Sequence, residues 1–462
     1  MPNTKHHWLK TLDESRKPAY LAIPDLIADD LASGRLRSGD RLPGMRELAD
    51  ALSLNYTTIS RAYAEARKRG LLDTRAGSGT FVKGIARAIV SESAAVEMSM
   101  NMPPEPFELA GRLRESASEL LREADPYQLL RYQDFGGTAA DRAAGRNWLS
   151  GMTPGRNEDT VLVCPGIHSA LVALVSQLAR PGETICLDSL AYPGIKAICS
   201  QLGVRLQAIA RDDEGPLPHA FEALCKTAAP RAFYCNPTIQ NPSTLTLSTY
   251  RRQALAEVAL RHNVPIIEDD AYGLLPGKAP TSIASLAPEL TYYVTGFSKT
   301  FGAGLRVAYL SGPTARKTQR MTSALRATSV MASPFTVRLA TRWIEDGTAK
   351  QMLDAIRTEA NARQAIAASE LAKFSFMANP DGFHLWLTCP PDTNLSVSEL
   401  AIMLREKNVA AVAGAAFSTD GDPPDAIRLC LGGPQSREGC REGIRRVAEM
   451  IEDPHHLHEP MM

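Results

Sequence analysis

The stretch VTGFSKTFGAGLRVAYL, residues 294–310, decides how the larger part of this chain folds. An apolar run ends in Ser298-Lys299, the chain turns through Gly302 and Gly304, and a second apolar run opens at Arg306. Short apolar runs bounded by glycine turns read as buried strands, so Lys299 stands at a buried strand end. A lysine there is costly unless it is neutralised, paired or used covalently. Taken alone, such a lysine is ordinarily a surface residue; its neighbours in sequence change that reading. VPIIEDDAYGLL (264–275) ends another apolar run in carboxylates, with Tyr272 three residues after Asp269. By themselves Glu268, Asp269 and Asp270 read as a solvated acidic turn. PTIQNPSTLTLS (237–248) sets Asn241 in a proline-containing loop, and LDSLAYPG (187–194) presents Tyr192.

Further runs extend the pattern outward. VLVCP (161–165), TICLD (184–188), RAFYCNP (231–237) and TYYVTGFSK (291–299) alternate with helical stretches, the arrangement of buried, mostly parallel strands. CPGIHSALVALVSQLA (164–179) reads as a strand, a glycine turn and a helix start. The backbone N–H groups of Ile167 and His168 then face an anion site. His168 itself is more ordinarily a polar helix-start residue. Beyond about residue 330 the chain is helix-rich, with strand-like FHLWL (383–387) and IRLCL (427–431). The expectation is an α/β domain with a mostly parallel central sheet and a smaller C-terminal α+β lobe.

The first eighty-odd residues have a different texture. YLAIPDLIADDLAS (20–33) puts Ile23, Leu26, Ile27 and Leu31 on one helical face, with Gly34 ending the helix. Residues 46–52 carry a short helix and 55–69 a longer one. TRAGSGTFV (74–82) reads as two short strands around a glycine-rich turn. Leu48, Ala49 and Leu52 face Ile59, Ala62, Tyr63 and Ala66 as a small core, and Asn55 suits the N-cap of the longer helix. Three helices and a hairpin make a winged helix-turn-helix (α+β). The expected division is therefore a head at 1–83, a linker at 84–100 with weak periodicity and small side chains, and a body at 101–462.

At 462 residues the chain exceeds one ordinary core. Formal net charge is zero, but residues 1–84 hold 14 Lys and Arg against 10 Asp and Glu, a sign that suits a DNA-reading head. Eight scattered cysteines without a C-x-x-C pair read as core residues in a reducing compartment. The polar start MPNTKHHWLK is no signal peptide, and no run approaches the roughly 20 apolar residues of a membrane span. The expectation is a cytoplasmic protein with no membrane partner and no metal.

The order of Tyr192, Asn241, Asp269, Tyr272, Lys299, Arg306 and Arg428 in these contexts resembles fold-type I pyridoxal 5'-phosphate enzymes of the class I/II aminotransferase branch, over roughly residues 98–450. The resemblance implies Lys299 as the catalytic lysine that forms an aldimine with the cofactor. Asp269 would pair with the ring nitrogen, keeping the ring an electron sink. Tyr272 and Asn241 would bond its phenolate oxygen, and Tyr192 would stack on it. Ser298 and Arg306 would complete the phosphate cradle begun by Ile167 and His168. Tyr132, in LLRYQDFGG (129–137), resembles the tyrosine that reaches the neighbouring subunit's phosphate, which implies a homodimer. Arg428, in AIRLCLGG (426–433), matches the arginine that grips a substrate α-carboxylate. There are departures. Ile167 and His168 replace a common Ser and Gln, Thr244 replaces a usual glycine, and Gly296 stands where a phosphate-binding Ser is common.

The segment RLPGMRELADALSLNYTTISRAYAEARKRGLLDTRAGSGTFV (41–82) resembles the winged helix of GntR-family regulators. The resemblance implies that Tyr56, Thr57 and Thr58, with Arg61 one turn on and Asn55 at the cap, meet a major groove of promoter DNA. Arg46 would contact a phosphate, and Gly77 and Gly79 in the wing would let the backbone approach the duplex. Tyr56 replaces a common basic residue, so base preference is not carried over. Head and body together are the architecture of MocR-subfamily regulators. That implies a pyridoxal-phosphate-dependent, DNA-binding transcription regulator sensing an amine or amino acid, or pyridoxal phosphate itself, at Lys299. The alternative is an active aminotransferase carrying a DNA-binding head; with every catalytic position present, the sequence leaves sustained transamination open.

Overall fold

The computed structural model describes residues 18–32, 36, 40–68, 71–75, 79–82, 96–106, 109–123, 125–390 and 396–452. The chain divides into two compact units, Met1–Ala94 and Ala95–Met462.

In the first unit, helices Ala19–Ala32, Met45–Leu52 and Tyr56–Lys68 precede a hairpin of Leu72–Arg75 with Gly79–Val82. The hairpin is antiparallel, with Leu72 opposite Val82 and Arg75 opposite Gly79. Ile23, Ile27, Leu48, Ala49, Ile59, Ala62, Tyr63, Ala66, Leu72 and Val82 form one buried cluster, with Leu52 packed at its edge. Tyr63 lies fully inside because its hydroxyl donates to the Pro43 carbonyl at 2.9 Å, which satisfies the one polar atom on a large apolar ring. The turn between the second and third helices runs through Ser53 in the left-handed region, φ 53°. Gly34 and Gly77 lie outside the described residues.

The second unit is built on a seven-stranded sheet. Its order is Val161–Cys164, Ala308–Ser311, Thr291–Gly296, Ile266–Asp269, Ala232–Cys235, Thr184–Asp188, Arg205–Ile209. Ala308–Ser311 is antiparallel to both neighbours and the remaining pairs are parallel. Helix Ile167–Leu178 and its neighbours bury one face through Leu171, Leu174 and Val175. Aromatic packing anchors the turn that carries Lys299. Phe297 and Phe301 bracket the lysine and meet edge to face at 4.6 Å. Phe301 stacks on Trp343 at 5.2 Å, and Trp343 Nε1 donates to Ser116 Oγ. Such aromatic pairs contribute roughly 0.5–1.5 kcal/mol each beyond their buried area.

The smaller lobe carries an antiparallel sheet in the order Phe376–Ala378, His384–Thr388, Ala426–Cys430, Val412–Ala413. Helices Thr348–Glu370, Val397–Glu406 and Arg437–Glu452 contribute buried side chains to the same apolar cluster as this sheet.

Two sequence expectations change. The linker read as 84–100 ends earlier: Val96–Glu97 is a strand, parallel to Val409–Ala410, because Val96 and Met98 pack in the small-lobe core. Arg306 does not open a strand. It sits in the left-handed region at φ 51°, and the strand begins at Ala308. The carboxylates Glu268, Asp269 and Asp270 close the apolar run as the sequence reads, and all three are buried. They survive there because each is hydrogen-bonded. Glu268 accepts from the backbone N–H groups of Ile283 and Ala284 at 2.9 and 2.7 Å, and Asp270 from the Tyr293 hydroxyl at 3.0 Å.

Candidate functional site

The strands Val161–Cys164, Thr184–Asp188, Ala232–Cys235, Ile266–Asp269 and Thr291–Gly296 all end on one edge of the sheet, and their following loops converge there. That carboxyl edge is where open α/β sheets bind ligands. A cavity of about 250 Å³ opens at it, lined by Ile167, His168, Tyr192, Asn241, Asp269, Tyr272, Ser298, Lys299 and Arg306. Nine of the ten residues assigned from sequence to a cofactor thus share one cavity. The tenth, Tyr132, lies outside it with 80% of its surface exposed.

Lys299 sits between the carbonyl of Asn101, to which Nζ donates, and the Tyr272 ring, whose centroid is 5.8 Å away. Burial pulls its amine down to about 8, partly countered by Asp269 and reinforced by Arg428 and Arg306. A substantial neutral fraction near pH 8 makes it a usable nucleophile.

Asp269 receives the Tyr234 hydroxyl on Oδ2 at 2.7 Å. Desolvation raises its carboxyl to about 6, against the lowering effect of that hydrogen bond. Its other oxygen, Oδ1, is sealed from solvent and unpaired, and so is the Tyr272 hydroxyl. Asn241 accepts on Oδ1 from Arg428 Nη1 at 2.7 Å. Because a guanidinium only donates, this orients the amide and leaves its NH₂ as the free donor. Tyr192 caps helix Pro193–Gln201. Gly194 permits its ring position, since a Cβ there would collide with the ring.

The helix start beside Arg306 is shaped by backbone. Gly166, at φ 86°, precedes helix Ile167–Leu178 and has no side-chain cap to occupy the first N–H groups. Arg306 passes so close that a Cβ on Gly166 would lie 2.9 Å from Nη2. Burial and Arg306 both lower the basicity of His168, which leaves the positive charge to the arginine. Gly296 proves to be a packing residue. A Cβ there would meet Ala308 Cβ and the Val307 carbonyl at 2.8 Å, so this backbone has no room for the serine that the family resemblance implies at this position.

Arg428 lies beside the cavity with its guanidinium engaged. Nη1 bonds Asn241, Nη2 donates to the Ser99 carbonyl, and the group lies 5.0 Å over the Phe417 ring. Sequence reasoning missed Met100, at the end of the misread linker, Asn101 and Met102, which open the body, and Asn236 and Ala271, all of which line the cavity. It also missed Tyr234, which looks like any core aromatic in the run AFYC. Asn236 follows that same strand end; its amide donates to the Asp269 carbonyl at 2.5 Å and accepts from the Asn241 N–H at 2.9 Å.

In the head, Arg46, Asn55, Tyr56, Thr57 and Arg61 are exposed and Thr58 is partly so. The Arg61 guanidinium lies 4.2 Å over the Tyr20 ring. Gly79 takes φ 115°, and a Cβ there would come within 3.0 Å of Arg41 Nε, which adds the exposed Arg41 to the wing surface. Among the described residues no helix is long and apolar enough to cross a membrane.

A parallel-rich seven-stranded sheet, a half-buried lysine in the turn that follows the strand Thr291–Gly296 and an aspartate facing the same cavity define the body as a fold-type I, aminotransferase-like domain. The chain belongs to the aminotransferase class I and II family, whose model matches residues 97–447; residues 19–82 match the bacterial regulatory proteins of the gntR family. It is 27% identical over 456 residues to the uncharacterized HTH-type transcriptional regulator YdeF of Bacillus subtilis (strain 168), covering 96% of this chain and 97% of that protein. It is 25% identical over 417 residues to the vitamin B6 salvage pathway transcriptional repressor PtsJ of Salmonella typhimurium, covering 88% and 93%. Among solved structures it resembles α-aminoadipate aminotransferase LysN of Thermus thermophilus, complexed with N-(5'-phosphopyridoxyl)-L-leucine. The TM-score is 0.71 at 25% identity, over 78% of this chain and 92% of that one. Membership of this family implies pyridoxal phosphate dependence.

Proposed function

We propose that this protein is a transcription regulator whose head binds double-stranded promoter DNA and whose body senses a small amine or amino acid through pyridoxal 5'-phosphate held at Lys299. The observation that carries the reading is a pair of buried, unpaired polar atoms, Asp269 Oδ1 and the Tyr272 hydroxyl, on the cavity that encloses the Lys299 amine. Buried polar atoms are ordinarily paired, and these two supply an acceptor for a ring N–H and a donor for a phenolate oxygen. The residues present fit the cofactor.

Bound there, pyridoxal phosphate would supply an aldehyde carbon for amines and an electron sink. The chain's own groups hold and tune the site. Lys299 provides the amine that captures the cofactor. Asp269, held by Tyr234, keeps a negative charge at the ring nitrogen, and the Asn241 amide and Tyr272 hydroxyl donate to the phenolate position. Tyr192 covers the ring face. Arg306, Ser298 and the helix-start N–H groups of Ile167 and His168 take the phosphate. Arg428 would exchange the Ser99 carbonyl for a ligand carboxylate, and Tyr132 would serve the second subunit of a homodimer.

In the head, Tyr56, Thr57, Thr58 and Arg61 would enter the major groove, with Asn55 at the cap. Arg46 and the wing at Gly79 would meet the phosphates, and Gly77 belongs to the same proposed wing. A ligand changes DNA binding only by preferring one state; moving 1:99 to 99:1 requires about 5.5 kcal/mol.

The deciding experiment is the visible spectrum of the protein loaded with pyridoxal phosphate, recorded across a panel of amines and amino acids alongside promoter binding. A ligand that shifts both, without release of keto acid, supports the sensor. Sustained turnover between an amino donor and a keto acid would favour the transaminase reading, which the likeness to LysN keeps in view. Promoter binding that responds to pyridoxal phosphate alone would favour sensing of the cofactor, a reading encouraged by the likeness to PtsJ.

A further inference from the structure

One polar group on the cavity is not used by the assignment above. Asn101 lines the cavity, in the strap of residues 96–102 that enters the body as the strand paired with Val409–Ala410. Its side-chain Nδ2 and Oδ1 are both sealed from solvent, and neither has a hydrogen-bond partner. An amide left this way destabilises the protein unless something in the cavity pairs with it. The backbone carbonyl of the same residue accepts from Lys299 Nζ. Two residues back, the Ser99 carbonyl accepts from Arg428 Nη2, while Arg428 Nε is itself sealed and unpaired. One short strap therefore touches both cations that a ligand bearing an amine and a carboxylate would engage.

We propose that Asn101 is a specificity-determining residue, whose side-chain amide hydrogen-bonds the carboxylate of an amino-acid ligand and so selects it over the amine lacking that group. The assignment rests on Lys299 being the residue that holds the cofactor. Nδ2 donates to a carboxylate oxygen and Arg428 supplies the compensating charge. A site built to hydrogen-bond a ligand group rejects analogues without it, because its own polar atoms then stay unpaired. The amide is neutral, so the selection depends on its donor and is lost or inverted when the donor is removed or replaced by a carboxylate.

The test uses the full chain loaded with pyridoxal phosphate, as wild type, Asn101→Ala and Asn101→Asp. Each is titrated with matched pairs: L-alanine and ethylamine, L-leucine and 3-methylbutylamine, L-lysine and cadaverine. The Kd comes from the shift in the bound cofactor's visible absorbance, and cofactor content and thermal midpoint are recorded for every variant. The expected result is that, for the pair bound tightest by the wild type, the amino acid binds about tenfold or more tighter than its amine. Asn101→Ala should remove about tenfold of that ratio, a change of about 1.4 kcal/mol, and Asn101→Asp should reverse the preference, with cofactor content unchanged in both. A ratio equal in all three proteins, a parallel loss for amine and amino acid, or a wild type without preference overturns the role of Asn101. A wild type that takes up no pyridoxal phosphate is a separate result: it overturns the Lys299 reading and this assignment with it.

Discussion

Arg428 Nη1 donates to Asn241 Oδ1 at 2.7 Å, joining a small-lobe strand to a loop of the large sheet across 187 positions of sequence. The other arm of the guanidinium holds the Ser99 carbonyl, so a single side chain ties together both lobes and the strap that precedes them. Replacing Arg428 by Ala leaves those acceptors unpaired in a buried setting. Hydrogen bonds to charged groups contribute about 1.5–3 kcal/mol each, so losing the two is expected to cost about 3–6 kcal/mol in urea denaturation. Affinity for carboxylate-bearing ligands should fall more than affinity for plain amines. Unchanged stability would mean that the tie is incidental.

Lys299→Ala removes the amine without emptying a large apolar volume. The protein should fold, bind promoter DNA with its usual affinity, and show neither the absorption band of lysine-bound cofactor nor any response to amines. A normal effector response in Lys299→Ala would rule out covalent sensing.

The pH dependence of cofactor uptake follows from two shifted groups. Lys299 titrates near 8 and reacts when neutral, so capture slows as pH falls below 8. Asp269 titrates near 6, and protonation there removes the charge opposite the ring nitrogen. Both effects act in one direction. Uptake of pyridoxal phosphate, followed by stopped-flow absorbance, should accelerate between pH 6 and 8 and level off above 8. A rate still rising tenfold per unit toward strongly alkaline pH would place the lysine near its ordinary value instead.

Gly296→Ser tests packing against phosphate binding. The substitution supplies the hydroxyl that the family resemblance implies there, but the added Cβ meets Ala308 and the Val307 carbonyl at 2.8 Å. Overpacking of this kind costs about 1–3 kcal/mol, so a lower melting temperature and no gain in cofactor affinity are expected. Tighter cofactor binding at unchanged stability would contradict the packing argument.

Arg61→Ala in the head should weaken promoter binding while leaving cofactor content intact. A base contact would cost about 1–3 kcal/mol and relax preference at one position, whereas a phosphate contact would flatten the salt dependence by about one unit. Fluorescence anisotropy at several salt concentrations separates the two. Equal affinity throughout would move the DNA contact off this residue.

Wherever local chemistry is enough, the sequence alone determined the outcome. Alternating apolar runs and glycine turns specify the strands, and strand ends are where polar residues such as Asp269 and Lys299 are tolerated. The head was legible for the same reason: Ile59, Ala62, Tyr63 and Ala66 recur at helical spacing, and TRAGSGTFV (74–82) reads as two strands around a glycine-rich turn. What only the tertiary structure decided depends on contacts between distant segments. Residues 96–102 have no periodicity of their own, and pairing with Val409–Ala410 makes them a wall of the cavity. Tyr234 resembles a core ring until Asp269 is placed 2.7 Å from its hydroxyl. That Glu268, Asp269 and Asp270 can all be buried side by side was decided by backbone N–H groups and tyrosine hydroxyls that converge on them from 15 to 35 positions away. Burial of a charge is permitted by its partners, and partners so far apart in the chain are brought together only by the assembled fold.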